Sequence, residues 1–168
     1  MKFISFSRKR FTFGLGPEEQ EAFVTLLRFY PVAVGGRGAI SKAINTETIV
    51  EAQKMLDEAV AEQIAESKKL VEAFVAEPRR FKLQEDETYR MFLKDDEVEW
   101  LLQVLNNIRV GSWMELGSPE PGGELTLPPK EDSGRMVWSI YASDIFLGSL
   151  LYALEKQNSK TGADDEAK

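Results

Sequence analysis

The sequence predicts a mainly helical α+β domain, in which about four principal helices pack against a small antiparallel sheet. Four long segments carry apolar residues at three- and four-residue steps, which is the spacing of amphipathic helices. Short segments near the N-terminus and around 81–93 alternate with the period of strands. A chain of 168 residues, 43% hydrophobic and 29% charged, is ordinary for one globular domain. We therefore expect a single domain over 1–155. The polar segment 156–168 has no apolar period and is predicted to be a disordered tail.

The first predicted element is a β-hairpin. Residues 3–6 and 11–15 both alternate, and the alternation changes phase between them, which fits two strands better than one. Three consecutive basic residues, Arg8, Lys9 and Arg10, fall in the turn. Charged side chains at such a position keep an edge strand from pairing with another chain, and a site for phosphate or an acidic partner is the alternative.

A short helix is predicted over 17–29. Pro17 suits its first turn, acidic residues follow at the positive end of the helix dipole, and Pro31 ends it. The glycine-rich run at 35–38 is not followed by the Gly-Lys-Ser/Thr sequence of a phosphate-binding loop. We interpret that run as a flexible connector.

A long helix is predicted over 46–76. Its outer face carries Glu58, Glu62 and Glu66 at four-residue steps, where like charges repel by about 0.2–0.5 kcal/mol per pair. This spacing predicts a solvated acidic face, or one that meets a basic partner. A carboxylate-bridged metal site is the alternative, but helical sites of that kind normally add histidine, which this chain lacks.

Two further short strands are predicted at 81–83 and 89–93, followed by the clearest helix of the chain at 95–116. Asp95 and Asp96 suit its start as capping residues, and Gly117 suits its end. The strands are expected to join the N-terminal hairpin in one antiparallel sheet.

The segments 15–27 and 93–105 share a pattern, because in each an alternating stretch runs into an acidic helix start. The pattern is either a degenerate repeat of a strand–helix unit or two uses of the same capping arrangement. The matching positions are Leu15 and Leu93, Glu19 and Glu97, Glu21 and Glu99, and Leu27 and Leu105.

A last helix is predicted over 135–155, after a loop at 118–134 that is rich in proline, glycine and charge. The helix is apolar nearly all round, which predicts that it is buried centrally or covered by another chain. Asp144 is the one charge within it, and a buried carboxylate needs a partner. We predict that Asp144 approaches Arg109 or Arg28.

The segment Leu105-Asn106-Asn107-Ile108-Arg109, with Gly111 and Leu116-Gly117 after it, resembles an uncharacterised bacterial family best known from actinobacteria. The strand and Pro-Glu-Glu helix at 11–27 and the apolar helix at 136–154 are similar to that family, although the last helix lacks its Gln-Glu pair. Genes of the family often lie beside the adaptor of the Clp protease. The resemblance therefore implies a link to regulated proteolysis.

Four residues are candidates for a binding site. Asn106, Asn107 and Arg109 carry the resemblance, and Asp144 is the isolated charge of the last helix. Helix packing and side-chain hydrogen bonds are the alternative explanation for all four. No residue is assigned a catalytic role, and no cofactor or metal is predicted.

The composition excludes several kinds of chemistry. The absence of cysteine and histidine removes disulfides, zinc–thiolate sites, cysteine nucleophiles and histidine bases. A formal charge of −7 disfavours a general nucleic-acid binder. Residues 1–13 lack the apolar core of a signal peptide, and no window approaches the roughly 20 consecutive apolar residues of a membrane span. We expect a cytoplasmic protein.

Three functional hypotheses follow. The first is a non-enzymatic interaction or regulatory protein that binds a protein partner or self-associates through the last helix or the long acidic one. The second is a carboxylate-based enzyme with a divalent metal, which requires acids from different helices to converge. The third is nucleic-acid binding through Arg8, Lys9, Arg10, Arg79 and Arg80, which requires these residues to share a face.

Overall fold

A computed structural model describes residues 1–32, 47–118 and 132–165. The predicted connector at 35–38 and residues 119–131 of the predicted loop lie outside the described residues. The elements in chain order are β1 (Lys2–Ser7), β2 (Arg10–Leu15), α1 (Pro17–Leu27), α2 (Glu47–Ala76), β3 (Phe81–Leu83), β4 (Tyr89–Lys94), α3 (Asp95–Glu115) and α4 (Ser133–Asp165).

The predicted fold class is confirmed, because helices dominate the described residues and the four strands form one antiparallel sheet. The strand order is β1-β2-β4-β3, so the N-terminal hairpin and the second pair of strands join in a single sheet as expected. One face of the sheet is buried under the helices. Its residues are the alternate apolar residues of the strand sequences. The buried strand residues are Phe11, Phe13, Leu15, Met91 and Leu93.

The β1–β2 turn has the two-residue form in which both central residues adopt the left-handed conformation. Arg8 has a φ of 50° and Lys9 a φ of 59°. Asparagine and glycine are the usual residues in such a turn because other side chains are disfavoured at positive φ. The basic turn is therefore formed against the local backbone preference of its residues, and the paired strands hold it.

Both α1 and α3 start with the same hydrogen bond. The backbone N–H of Gly16 donates to Glu19 Oε2 at 2.9 Å, and the backbone N–H of Lys94 donates to Glu97 Oε2 at 2.9 Å. Each glutamate is the third residue of its helix and satisfies a backbone donor that the helix leaves free. The cap of α3 therefore comes from Glu97, whereas the sequence had pointed to Asp95 and Asp96.

The chain contains two copies of a strand–strand–helix–helix unit, β1-β2-α1-α2 and β3-β4-α3-α4. Phe3 pairs with Phe13 in one copy, and Phe81 pairs with Met91 in the other. The residue numbers differ by 78 in both comparisons (81 minus 3, 91 minus 13). Phe13 also pairs with Met91 across the centre of the sheet, so a local two-fold axis passes between β2 and β4.

The same spacing holds in the second helix of each unit. The ring of Phe74 in α2 lies 6.5 Å from that of Phe81, and the ring of Tyr152 in α4 lies 6.3 Å from that of Phe3. The numbers of the equivalent residues in the two pairs again differ by 78 (152 minus 74, 81 minus 3). The likeness of 15–27 to 93–105 therefore belongs to a repeat of the whole fold unit, and residues 78 apart are counterparts.

The last helix is longer than predicted. It begins at Ser133 and continues to Asp165, so residues 156–165, which we expected in a disordered tail, are helical. Extension of an existing helix needs no new nucleation, and Glu, Lys and Gln are good helix formers. Residues 166–168 lie outside the described part of the chain.

Candidate functional site

The outer side of α4 carries a row of exposed apolar side chains, which we call the α4 stripe. Its members are between 37% and 62% exposed, and they recur at steps of three and four residues around an open glycine. The α4 stripe consists of Trp138, Tyr141, Ile145, Gly148, Leu151 and Tyr152.

The sequence predicts that α4 is buried centrally or covered by another chain. Within this chain, only one side of α4 is buried. Ala142, Phe146, Leu150 and Ala153 are buried against the rest of the domain. The sequence did not separate the two sides because both are apolar. Exposed apolar side chains in a contiguous row are the feature that distinguishes an interaction surface from scattered surface residues.

Three of the four candidate residues come together beside the α4 stripe. Arg109 Nη1 lies 3.3 Å from Asp144 Oδ1, and Arg109 Nη2 donates to Asn106 Oδ1 at 3.1 Å. The predicted pairing of Asp144 with Arg109 is confirmed. The expectation of a buried carboxylate is wrong, since both side chains of the ion pair are about half-exposed. An exposed pair of this kind contributes about 0–1 kcal/mol to stability.

The fourth candidate, Asn107, lies apart from this cluster. Its Oδ1 atom is buried and has no hydrogen-bond partner among the described residues. Gly111, which belongs to the same resemblance, has a packing explanation, because a Cβ at this position would lie 2.7 Å from Cβ of Val32. The segment therefore combines an exposed polar cluster with positions fixed by close packing.

A pocket of about 370 Å³ lies where the end of α1 meets α3 and α4. The buried Ser112 hydroxyl lines it and has no hydrogen-bond partner among the described residues. Arg135 also lines it, but its guanidinium is matched by Asp132 at 3.2 Å and lies 5.2 Å from the ring centre of Phe29. Arg28 and Glu115 also line the pocket, so it carries charges of both signs rather than one concentrated charge that would select a ligand.

The basic residues of the nucleic-acid hypothesis are only partly brought together. Arg10 and Arg79 line a pocket of about 430 Å³ with Lys94, and the turn residues Arg8 and Lys9 precede Arg10. Glu77 and Glu97 line the same pocket, and both form ion pairs with Arg80, the remaining arginine of the set. This gives a small exposed basic patch rather than a continuous basic face.

Arg80, the remaining arginine, has a structural role that the sequence did not reveal. Its Nη2 atom lies 2.6 Å from Glu77 and 2.9 Å from Glu97, and Nη1 donates to the Phe92 carbonyl at 3.1 Å. Its guanidinium carbon lies 4.2 Å from the centre of the Phe74 ring, and only 13% of the side chain is exposed. Arg80 therefore joins the end of α2 to β4 and α3, and its charge is already neutralised.

The acidic residues do not converge in the described part of the chain. No group of three or more His, Cys, Asp or Glu side chains is placed there to hold a metal ion. Glu58, Glu62 and Glu66 are exposed along α2, and Glu58 makes a 3.9 Å contact with Lys54. This arrangement matches the predicted solvated face.

The α4 region also passes a simple test for a membrane-spanning helix. Within the described residues, the stretch Ser133–Ser159 is long and apolar enough to cross a membrane by length and composition, with a mean hydropathy of 1.4 in its best window. One third of that window, 33%, is buried within the domain. A core helix of a soluble protein passes the same test, so binding to vesicles distinguishes the two.

Comparison with protein-family models, with curated proteins and with solved structures found no match to this chain. The resemblance carried by residues 105–117 therefore stays a prediction.

Proposed function

We propose that this chain is a non-enzymatic interaction or regulatory protein of the bacterial cytoplasm, and that it binds protein through the α4 stripe. The observation that carries the proposal is the contiguous apolar surface on the outer side of α4. The aromatic and aliphatic members of the stripe leave roughly 500 Å² of apolar surface exposed, given the 150–250 Å² of a whole aromatic side chain. A patch of that size is at the upper end for a soluble monomer and is often functional.

The composition of the stripe also supports protein binding. Trp138, Tyr141 and Tyr152 belong to the residue types that are enriched at the centres of protein interfaces. Each combines a large apolar area with one polar group that remains hydrated in the free protein. The Arg109–Asp144 pair beside them supplies charge of both signs without a net charge.

The residues that carry the family resemblance support regulation more than catalysis. Arg109, Asn106 and Asp144 form an exposed polar cluster, and no group of three or more described acids is placed to hold a metal ion. Genes of the family that residues 105–117 resemble often lie beside the Clp adaptor, and on that resemblance we propose regulated proteolysis as the process that this protein serves.

A second candidate function is nucleic-acid binding through the basic patch at Arg10, Arg79 and Lys94. The favourable observation is the convergence of these side chains around one pocket. Such binding would weaken steeply with salt, because each phosphate contact releases a counterion. A carboxylate-based enzyme has no comparable support among the described residues.

The proposal is tested by affinity purification from bacterial cytoplasm at low salt, with mass spectrometry of the retained proteins. The native chain is compared with Tyr141→Glu, which places a charge in the α4 stripe. Met55→Glu is the matched control, since Met55 is an equally exposed apolar residue on α2, away from the stripe. Specific proteins retained by the native chain and by Met55→Glu, and lost in Tyr141→Glu, would support the proposal. Retention that is identical in all three chains would contradict it.

A further inference from the structure

We propose that the α4 stripe binds a second copy of this chain, and that the α4 helices of the two copies pack antiparallel around Ile145 and Gly148. This inference rests on the proposed function, because it names the partner of the same surface. It is carried by the internal repeat, by the sizes of the stripe residues and by the area of the stripe.

The position equivalent to Tyr152 in the first repeat is buried, so exposure at Tyr152 is not a general property of the fold unit. Its counterpart Phe74 is only 4% exposed, because the Arg80 guanidinium lies 4.2 Å and the Trp100 ring 5.8 Å from the Phe74 ring. Tyr152 is 50% exposed. The counterparts of Arg80 and Trp100 beside it are Lys2 and Ala22. One half of the molecule therefore covers this position from within the chain, and the other half leaves it half-exposed, with the Lys156 ammonium 5.3 Å from the centre of the Tyr152 ring.

The small and large residues of the α4 stripe match those of a second, antiparallel α4 stripe in size. No side chain, and no backbone from another element, lies within 4 Å of the position that a Cβ would take on Gly148, so the middle of the stripe is a gap. Ile145, three residues earlier, is 62% exposed. The three- and four-residue steps are those of helices that pack with interlocking side chains. In an antiparallel pair these steps place Ile145 against the partner's Gly148 and Tyr141 against the partner's Tyr152.

The area and charge of the surface fit a pair of identical chains. The stripe spans about 21 Å from Trp138 to Tyr152 at 1.5 Å per residue. Complete burial of both stripes would remove roughly 1,000 Å² of surface in total, which is the lower bound for a specific interface. Arg109 neutralises Asp144 at the side of the stripe, so two chains of charge −7 do not bring unmatched charge together there.

The absence of cysteine allows a direct test by disulfide cross-linking. Ile145→Cys carrying an affinity tag is mixed with untagged Gly148→Cys and oxidised mildly. The antiparallel pair brings these two positions within the reach of a disulfide, whereas it separates each position from its own copy. We expect the mixed disulfide to exceed both homodisulfides several-fold. Met55→Cys, on exposed α2, is the control for random collisions.

Cross-linking no greater than that of Met55→Cys, or homodisulfides in excess of the mixed one, would overturn the inference. Circular dichroism of each variant establishes that it is folded. If cross-linking fails while Tyr141→Glu still abolishes capture of a different protein, the dimer is wrong and the proposed function stands. Sedimentation with phosphatidylethanolamine–phosphatidylglycerol vesicles provides a third arm. Vesicle binding that Tyr141→Glu removes, without cross-linking, would assign the surface to a membrane and overturn the dimer.

Discussion

The two halves of the molecule start alike and then diverge at the ends of their first helices. Pro17 and Asp95 are counterparts, but α1 ends at Leu27, whereas α3 continues ten residues past its counterpart Leu105. Pro31 prevents α1 from continuing, and its counterpart in α3 is Arg109. The extra ten residues add about 15 Å of helix. They give α4 a long surface to pack against, whereas most of the described side chains of α2 are exposed.

The sequences of α2 and α4, the second helices of the two halves, match this difference in packing. Four positions that are apolar and buried or half-buried on α4 are charged and exposed on α2. The counterparts are Met136 and Glu58, Ile140 and Glu62, Leu147 and Lys69, and Leu150 and Glu72. Two glutamates of the acidic face of α2, Glu58 and Glu62, therefore occupy positions that are half-buried in the other half, and the counterpart of the third, Glu66, is the exposed Asp144. Exposure to solvent accounts for the charge of this face without a metal or ligand.

The strongest test of the comparison is a matched pair of substitutions at counterpart positions. Leu150 is fully buried, so Leu150→Ala should lower the free energy of unfolding by about 2–5 kcal/mol through lost burial and a cavity. Glu72→Ala at the exposed counterpart should change it by less than about 0.5 kcal/mol. Urea unfolding of both variants measures the difference. Equal losses would show that the two helices are packed alike.

The second test concerns the arginine that only one half contains. Arg80→Ala removes two ion pairs and the cover over Phe74, and it should lower the free energy of unfolding by about 2–3 kcal/mol. Lys2→Ala, at the counterpart position, should lie within about 0.5 kcal/mol of the native chain. Urea unfolding followed by circular dichroism measures the stability of both variants. An unchanged midpoint for Arg80→Ala would contradict its structural role.

A smaller effect is expected where the extension of α3 touches the end of the first half. Gly111→Ala brings a methyl group into Val32, and the resulting overpacking should lower the free energy of unfolding by about 1–3 kcal/mol. Gly134→Ala is the control, because the space around Gly134 is open. There alanine should be neutral or stabilising by up to about 1 kcal/mol. Thermal unfolding distinguishes the two, and a stabilised Gly111→Ala would refute the close contact.

The smallest predicted effect is a pH dependence at the start of α1. Partial burial raises the pKa of Glu19, but hydrogen bonds from the Met1 amino group and the Gly16 N–H outweigh it and leave that pKa below its usual 4.5. A lowered folded pKa means stabilisation that is present above the unfolded value and lost as the pH falls through the folded one. Between about pH 5 and pH 3, Glu19→Gln should therefore lose less stability than the native chain.

The control for this pH dependence is Glu18→Gln. Glu18 lies in the same helical turn but makes no ion pair among the described residues. Its substitution should leave the acid dependence of urea unfolding close to that of the native chain. Equal pH profiles for Glu19→Gln and the native chain would contradict the role assigned to Glu19.

Much of the fold was predictable because its signals are local. The alternation of Phe11, Phe13 and Leu15, the proline at position 17 and the glycine at position 117 each depend on neighbours in sequence. The repeat was visible in part, since Leu15–Leu27 matches Leu93–Leu105, but its extent appears only in the pairing of strands. The continuation of α4 past residue 155 was missed because polar composition alone does not decide between helix and disorder.

The site was less predictable because its features depend on contacts between distant segments. The charge argument predicted the pair of Asp144 with Arg109, but not the exposure of the pair, which depends on how α3 and α4 pack together. The α4 stripe was hidden because both sides of that helix are apolar. Arg80 was grouped with the basic residues, since its partner Glu97 belongs to a different element. The spacing of Trp138, Tyr141, Ile145 and Gly148 was the available signal for the stripe.

The most direct test of the central claim, that the second half leaves the α4 stripe open for a protein, is the molar mass in solution. Light scattering during size-exclusion chromatography is applied to the native chain and to Ile145→Glu, from micromolar to sub-millimolar concentrations. We predict a mass of twice 19.0 kDa for the native chain and 19.0 kDa for Ile145→Glu. A native chain that stays at 19.0 kDa throughout, and that retains no protein in affinity purification, would contradict the account.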